Sequence, residues 1–313
     1  MVRFNRIVVV TKRTQLQELI DRFVTKAQAK FYIEHMGLSF ADYEQAHETY
    51  NSALETLKTS LPGSPRHQII DRAFLPTFTF DASDIIVTLG NNGLVVNAAK
   101  YAEGRPILGV NADPAREEGV VALFEVDEAS SQLDAVLQNK IRIRQVTMAE
   151  AKMNNGERLL GFNDIFIGHR SHVSARYRIE FEGRYENHSS SGIIVSTGAG
   201  STGWMKSIVG GSLGIVKSSF PREPTLPKGF DSRFDWSANK LVFMVREPWP
   251  SKSSQAEMVF GTVSKERPLR LTSHMPEGGV IFSDGVEQDA ISFTSGAIAE
   301  INIADNKANL IAH

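Results

Sequence analysis

The first stretch whose residue types could do chemistry is Gly90-Asn91-Asn92-Gly93, which follows the apolar run DIIV. Glycine at both ends of this stretch allows positive φ angles and lets a ligand approach the backbone amides closely. A helix beginning after the turn would add the positive end of its dipole. The spacing predicts that Gly90, Asn91 and Gly93 bind a phosphate, and a purely structural turn explains the same residues equally well.

A second candidate is the run SSGIIVSTGAGSTGW over residues 190–204. A β-branched strand opens here into a dense series of serine, threonine and glycine, and a helix is predicted to begin near Trp204. Small residues and hydroxyl groups around a close backbone suit a flat, polar ligand such as a nucleotide, so we favour a ligand-binding loop. A flexible Gly/Ser loop is the alternative.

Polar residues also interrupt two other apolar runs. Asn163 and Asp164 lie within GFNDIFIG, where an amide and a carboxylate are costly unless both have partners. Ribose hydroxyls or an adenine edge would serve as partners, and a strand-end pair facing water is the alternative. Asp284 follows the apolar VIF, where Ser283-Asp284-Gly285 is typical of a hairpin turn. His169 and His172 are three apart on a predicted strand and point to opposite faces, so no metal ligand set is identifiable.

The elements that would position the glycine turn alternate between strand and helix. RIVVVTK is typical of a buried strand, and Thr14 with Gln17 forms a capping box for a helix whose apolar positions continue to Ala27. The further elements predicted in this half are a helix over 41–61, a strand over 84–89, a helix over 94–102 and a strand over 106–110. This alternation favours a doubly wound α/β domain with a parallel sheet.

The pattern changes after about residue 140 to short, alternating runs. Extended segments flank Asn155-Gly156, and Val173 to Phe181 alternates strictly between apolar and polar residues. Further strands are predicted near 192–196, 240–246, 257–263, 267–272, 279–283 and 297–303. The second half is therefore expected to be a mostly β, sheet-on-sheet domain. The stretch 218–235, with three prolines, is predicted to be a mobile loop.

Composition narrows the class of protein. The chain has 313 residues, of which 42% are hydrophobic and 22% are charged, and its formal net charge is −2. That balance gives no global basic field for nucleic acid or an anionic membrane. The absence of cysteine excludes disulfides and thiolate chemistry. Because no run approaches the roughly 20 apolar residues of a membrane span, and MVRFNR leads directly into IVVV, we expect a cytoplasmic protein.

Taken in order, these stretches resemble the NAD kinase family. Members of that family carry a Gly-Gly-Asp-Gly turn, an Asn-Glu pair, an Asp-Gly strand leading into Thr-Pro-Thr-Gly-Ser-Thr-Ala-Tyr, and a late Asp-Gly turn. The counterparts here are Gly90–Gly93, Asn163-Asp164, Ser191-Gly192, Thr197–Trp204 and Asp284-Gly285. The resemblance covers roughly residues 80–304 and is closer to the mitochondrial-type branch, which also carries Ser-Ser-Gly, a Gly-Val-Asn-x-Asp-Pro segment like 109–114 and an Arg-Glu-Pro like 246–248.

The resemblance implies a fold, a ligand and a reaction. It implies an α/β phosphate- and nucleotide-binding domain over 1–138, a β-rich NAD-binding domain over 139–289, a segment 290–313 that returns to the first domain, and NAD bound between the two. It also implies transfer of phosphate from ATP or another donor, with Mg²⁺, to the 2′-hydroxyl of the adenosine ribose. A homodimer built through the β domain is expected as well.

Residue roles also follow from the resemblance. Asn163 and Asp164 would bind the adenosine end of NAD. Ser191 replaces an aspartate on the nicotinamide side, which is a trait of the mitochondrial-type branch. The residues that would line the rest of the dinucleotide site are Ala199, Thr202, Gly203, Trp204 and Ser207, with the Trp204 ring in place of the family tyrosine.

Asn92 conflicts with this reaction because it occupies the place of the family aspartate that is the expected base for the 2′-hydroxyl. An amide does not take up a proton at neutral pH and lacks the charge that holds Mg²⁺. Loss of a general base costs about 10²–10⁴ in rate. Three explanations stay open: a variant made to trap substrate, a natural member without activity, or a displaced base, for which Asp284 is a candidate.

Two other functions remain as alternatives. One is a non-catalytic protein that binds NAD or NADP, an alternative that Asn92 keeps open. The other is a kinase for a different hydroxyl-bearing substrate, such as a lipid or a sugar, since lipid kinases share the glycine turn. The loop at 197–204 favours NAD, and no exposed basic or amphipathic face indicates a lipid. If Asn92 is a lost base, Asn92→Asp should raise NADP formation by at least about 10²-fold.

Overall fold

A computed structural model describes residues 4–219 and 232–313 of the chain. These residues divide into two compact units, one reaching Arg144 and completed by Asn309–His313, the other covering Gln145–Ala308. Most of the stretch predicted to be a mobile loop, 220–231, lies outside the described residues. No helix in the described ranges is both long and apolar enough to cross a membrane.

The first unit is a parallel sheet with helices, as the alternation of elements predicts. Its elements in chain order are β1 (Arg6–Thr11), α1 (Gln15–Phe23), α2 (Lys26–His35), α3 (Phe40–Ser60), β2 (Arg66–Asp71), β3 (Asp84–Gly90), α4 (Asn92–Ala99), β4 (Pro106–Asn111), β5 (Phe124–Glu125), α5 (Ala129–Leu137) and β6 (Arg142–Val146). The strand order β2-β1-β3-β4 is parallel throughout. β3 is buried along its whole length, so the glycine turn leaves from the interior of the sheet.

Three element predictions for this unit need correction. The helix expected to reach Ala27 ends at Phe23, because Val24 has φ 67° and Thr25 caps a second helix, α2. The strand β2 was missed because RHQIID at the edge of the sheet is mostly exposed and carries no apolar run. Helix α4 begins at Asn92, two residues before its predicted start. The capping box of α1 and the long helix α3 are confirmed.

The second unit packs two antiparallel sheets face to face, which confirms the sheet-on-sheet prediction. Its elements are β7 (Ala149–Met153), β8 (Arg158–Gly161), β9 (Asp164–His169), β10 (Ala175–Phe181), β11 (Arg184–Ser190), β12 (Ile193–Ser196), α6 (Trp204–Ser219), β13 (Leu241–Val245), β14 (Phe260–Val263), β15 (Leu269–Ser273), β16 (Gly279–Ser283), β17 (Val286–Ser292) and β18 (Ile298–Ile303). One sheet has the order β11-β10-β15-β18-β7-β8, and the other has β14-β13-β12-β9-β16-β17.

Alternation along β9 assigns its side chains to two faces. Ile165 and Ile167 belong to the core between the sheets, whereas Phe166 packs with α6 on the opposite face. Because successive side chains of a strand point to opposite faces, Asp164 shares the face of Phe166. We call this surface the outer face of the second sheet.

The division into units differs from the predicted domain boundaries. The first unit extends to Arg144 rather than 138, and only Asn309–His313 return to it rather than all of 290–313. The reason is hydrogen bonding: β18 pairs with β15 and β7 in the second unit, and only β19 (Ala308–Ala312) joins the parallel sheet beside β4.

Candidate functional site

The glycine turn in the first unit is shorter than predicted. Gly90 ends β3, Asn91 is the extended N-cap residue, and Asn92 and Gly93 already lie in the first turn of α4. The side chain of Asn91 does not cap the helix; its Nδ2 lies 3.4 Å from Oε1 of Glu117. This helix start lies at the carboxyl end of a strand in a parallel sheet, where α/β proteins bind ligands.

Asn92 is held by the backbone of the segment after β4. Its Nδ2 donates to the carbonyl oxygen of Glu118 at 2.6 Å, and its Oδ1 accepts from the amides of Val121 and Ala122 at 2.9 and 3.1 Å. Asn111 holds the same segment, because its Nδ2 donates to the carbonyl oxygen of Glu117 at 2.8 Å. An aspartate could not make the bond to Glu118, since an ionised carboxylate has no proton to donate. The amide at position 92 therefore has a structural use.

A cavity of about 230 Å³ adjoins Gly90 and Asn91 in the first unit. Its other lining residues are Lys12, Thr14, Gln15, Tyr43, Ala46, Tyr50, Asn111, Ala112, Asp113, Arg116 and Glu117. Lys12 is half-buried, and this partial removal from water lowers the pKa of its ammonium group. Lys12 follows β1 directly, so two cations (Lys12 and Arg116), two carboxylates and the glycine turn line one cavity. The glycine turn and the segment 109–114 were noticed in the sequence, whereas Lys12, at a strand end, was not.

In the second unit, Asp164 is the first residue of β9 and is 8% exposed. It lies opposite the buried Ser196 of β12 and on the outer face of the second sheet. Burial, with a further contribution from the charge of Asp284, raises the pKa of Asp164 to about 7. Its neighbour Asn163 is half-buried. The alternative that this pair faces water is wrong for Asp164.

Asp284 fixes the backbone of this pair. It occupies the two-residue turn between β16 and β17 with φ 56°, as Asp-Gly hairpin turns require. One carboxylate oxygen accepts from the amide of Phe162 at 2.9 Å, and the other accepts from the amides of Asn163 and Asp164 at 2.6 and 3.3 Å. Because both oxygens are occupied by backbone amides, Asp284 is suited to hold the site rather than to exchange protons.

The loop after β12 packs its backbone against the same place. The hydroxyl of Thr197 donates to the carbonyl oxygen of Phe162 at 2.6 Å, and its amide donates to that of Asn163 at 2.9 Å. A Cβ atom added at Gly200 would overlap the carbonyl oxygen of Asn163, so only glycine permits this approach. Ala199 is buried, while Thr202 and Gly203 are exposed at the end of the loop. The dense series of small residues is thus an ordered loop.

Trp204 begins α6 and extends the site along the outer face of the second sheet. Its ring stacks on that of Phe166 with centroids 5.9 Å apart, and the guanidinium of Arg246 lies 5.3 Å from its centroid. Ser207 is exposed one turn further along α6. Ser191 is exposed at the opposite end of β12 from Asp164, so these two residues are not brought together.

A cavity of about 380 Å³ opens beside Trp204. Its lining residues are Phe166, His169, Arg170, Trp204, Arg246, Val280, Phe282, Glu287 and Ala290. A cavity lined by aromatic and cationic side chains suits an anionic ligand with a flat ring. His169 ends β9 and His172 lies beyond it, which corrects the prediction that both belong to one strand. Within residues 4–219 and 232–313, no three or more histidine or carboxylate groups form a metal-binding cluster.

Comparisons with known proteins support the resemblance drawn from the sequence. No family model matches the chain. An NAD kinase of Chlorobium limicola is 30% identical over 149 residues, which cover 46% of this chain and 51% of that protein. The chain thus spans about half the length of the curated relatives it matches.

Two solved structures share the fold. Yeast NADH kinase complexed with NADH aligns with a TM-score of 0.60 at 14% identity, covering 98% of this chain and 83% of that one. An NAD kinase from Archaeoglobus fulgidus in complex with ATP aligns with a TM-score of 0.54 at 16% identity, covering 98% and 93%. The chain therefore has the fold of these kinases, an α/β unit followed by a sheet-rich unit.

Proposed function

We propose that this chain is an NAD kinase-like phosphotransferase, which moves a phosphoryl group from ATP to the 2′-hydroxyl of the adenosine ribose of NAD. The observation that carries the proposal is the buried Asp164 beside the close-packed loop at 197–203, on the same sheet face as Trp204. This arrangement offers a carboxyl group, a tight polar backbone and an aromatic platform to one nucleotide. The relative named NAD kinase and the neighbours that hold NADH and ATP support it.

In this proposal the two units supply different parts of the chemistry. Asn163 and Asp164 bind the adenosine ribose, Trp204 packs against a ring of the dinucleotide, and Ser191 lies toward the nicotinamide. The remaining contacts are assigned to Ala199, Thr202, Gly203 and Ser207. In the first unit, the amides at Gly90, Asn91 and Gly93 cradle the donor phosphates.

Magnesium fits the first unit only in part. Asn92 cannot offer its Oδ1 to a metal while two backbone amides occupy it. Asp113 and Glu117 line the cavity beside Asn91. One or two carboxylates with substrate phosphates are an ordinary set for Mg²⁺, so these two would hold the ion. When bound, Mg²⁺ would neutralise phosphate charge. A mitochondrial-type assignment and a homodimer belong to the proposal on the resemblance, and a cytoplasmic location belongs to it on the sequence pattern.

The test is to incubate the purified chain with NAD, ATP and Mg²⁺ and to measure NADP by an enzymatic cycling assay. Calorimetry with NAD, NADP and diacylglycerol micelles separates the ligand classes. Formation of NADP with saturable NAD binding supports the proposal. Phosphorylation of another alcohol while NAD stays unchanged would assign the chain to a different hydroxyl substrate.

The second candidate is an NAD- or NADP-binding protein without transfer activity. The observation that favours it is the side-chain amide of Asn92, which is hydrogen-bonded to backbone groups and stands where a carboxylate is expected in the glycine turn. Binding of NAD in calorimetry, with no NADP formed after prolonged incubation at high enzyme concentration, would select this candidate.

A further inference from the structure

Asp164 differs from the other buried carboxyl groups of the described chain. The buried acidic side chains are Asp84, Asp164 and Glu186. Asp84 is paired with Arg6 at 2.6 Å, and Glu186 accepts from His188 and from the amides of Glu257 and Met258. For the carboxyl group of Asp164, no hydrogen bond or ion pair exists within residues 4–219 and 232–313. The residue is 8% exposed, and its oxygens are not among the fully enclosed unpartnered atoms of the described residues, so the carboxyl group reaches the surface where a ligand can contact it.

The surroundings of Asp164 leave its carboxyl group available for proton transfer. The strand opposite contributes Ser196, whose hydroxyl donates to the carbonyl oxygen of Thr197, and the loop contributes the neutral Thr197. The turn between β16 and β17 contributes Asp284, the charged group that acts on Asp164. The amides of Asn163 and Asp164 already donate to Asp284, so they do not stabilise a negative charge on Asp164.

These features give Asp164 the properties of a general base at neutral pH. Burial and the fixed charge of Asp284 raise the pKa of Asp164 to about 7, where a carboxylate accepts a proton most effectively. The glycine turn contributes no such group, because both ends of the Asn92 amide are bound to backbone. Asp284 is equally unsuited, since three amides hold its oxygens.

We propose that Asp164 is the proton acceptor for the hydroxyl group that becomes phosphorylated, and that Asp284 is its positioning residue. The inference rests on the proposed function. As the ribose 2′-oxygen forms its bond to the γ-phosphorus of ATP, the bond from that phosphorus to its bridging oxygen breaks. The electron pair leaves with ADP. The hydroxyl proton passes to the carboxylate of Asp164 and then to solvent.

The test compares Asp164→Asn with Asp164→Glu and with Glu300→Gln, which removes an exposed charge from the same unit. Asparagine keeps the shape and the hydrogen bond to a ribose hydroxyl but accepts no proton. We expect Asp164→Asn to lower kcat by about 10²–10⁴ while the Kd for NAD in calorimetry changes by less than about threefold. Asp164→Glu should retain part of kcat, and Glu300→Gln should match the wild type.

The pH profile distinguishes this role from a structural one. In the wild type, log kcat should rise with unit slope and level off above about pH 7, and Asp164→Asn should abolish that rise. Turnover by Asp164→Asn within about threefold of the wild type, or a loss confined to NAD affinity, would overturn the assignment of Asp164 as the proton acceptor. Either result would leave the proposed function of the chain intact. If the wild type binds NAD and forms no NADP, the proposed function fails and the assignment fails with it.

Discussion

The carboxylate of Asp284 lies against the start of β9, with Oδ1 3.3 Å from the backbone nitrogen of Asp164. Two carboxyl groups are thus fixed in one region in different environments: Asp284 receives three backbone amides, and Asp164 receives none. Burial and the charge of Asp284 raise the pKa of Asp164, whereas three backbone hydrogen bonds hold the carboxylate of Asp284 in place. One therefore holds the site while the other is left available for proton transfer.

Stability should depend on the ionisation of Asp164. Its folded pKa of about 7 lies above the ordinary value of 3.8, so the folded state binds its proton more tightly than the unfolded state does. The contribution of Asp164 to the free energy of unfolding is therefore complete below about pH 4. This contribution decreases by roughly 4 kcal/mol at most as the pH rises toward 7. Urea unfolding of wild type and Asp164→Asn from pH 4 to 8 measures this.

As the pH rises from 4 to 7, the free energy of unfolding of the wild type should fall relative to that of Asp164→Asn. The difference between the two proteins should become constant above about pH 7. Glu300→Gln serves as the control, because its carboxylate is exposed. A pH-independent difference between wild type and Asp164→Asn would contradict the raised pKa.

Asn92→Asp tests two expectations at once. If Asn92 replaces a lost base, the sequence predicts a gain in NADP formation of at least about 10²-fold, whereas no such gain is expected if Asp164 is the proton acceptor. The structure adds a cost, because an aspartate would set a carboxylate oxygen against the carbonyl oxygen of Glu118 without a proton to share. We expect a loss of about 1–3 kcal/mol in the free energy of unfolding, measured by urea titration.

Asn97→Asp is the matched control for this change, because Asn97 lies on the same helix and makes no side-chain hydrogen bond in the described part of the chain. Its free energy of unfolding should change by less than about 1 kcal/mol, the size of the effect of a carboxylate in the last turn of a helix. Equal stability of Asn92→Asp and wild type would show that the bond to Glu118 is dispensable.

Gly200→Ala should disrupt the nucleotide loop. The added Cβ would overlap the carbonyl group of Asn163, so the loop or the start of β9 must move. We expect weaker NAD binding in calorimetry together with a lower melting temperature. Gly210→Ala is the control, since nothing lies near a Cβ at that helical position, and alanine there should stabilise by about 0.5–1 kcal/mol. Unaltered NAD affinity in Gly200→Ala would place the ligand elsewhere.

Trp204 should contribute a stacking surface to NAD binding. Trp204→Ala is expected to cost about 1–3 kcal/mol of binding free energy, whereas Trp204→Tyr keeps an aromatic ring and most of the affinity. Trp249→Ala removes a 68% exposed tryptophan and should leave the Kd unchanged. Calorimetry of the three variants makes the comparison, and equal affinity of Trp204→Ala and wild type would remove Trp204 from the site.

Lys12 should bind the donor phosphates. Its ammonium group lines the cavity beside Gly90 and is partly desolvated, which strengthens its attraction for an anion. Lys12→Met should weaken ATP binding by about 1.5–3 kcal/mol and raise the KM for ATP, with NAD affinity unchanged. Lys30→Met, at an exposed position of α2, is the control. A KM for ATP that does not change in Lys12→Met would exclude this contact.

Local patterns were sufficient for much of the fold. The β-branched run of β1, the capping box at Thr14 and the alternation in β10 each depend on neighbours within a few residues, so the sequence alone predicted them. The exposed edge strand β2 and the break at Val24 were missed because tertiary pairing and a positive φ angle determine them. The return of only β19 to the parallel sheet depended on long-range strand pairing.

The sequence by itself determined which residue types were available: two asparagines between glycines, an Asn-Asp pair, a loop of small residues and a late Asp-Gly turn. Only the tertiary structure decided what they do to one another. Asp284 meets Asp164 across 120 residues of chain, and Asn92 meets Glu118 across 26. Hydrogen-bond partners and burial arise from such distant contacts, and they set which carboxyl group is fixed and which titrates. No local pattern contains that information.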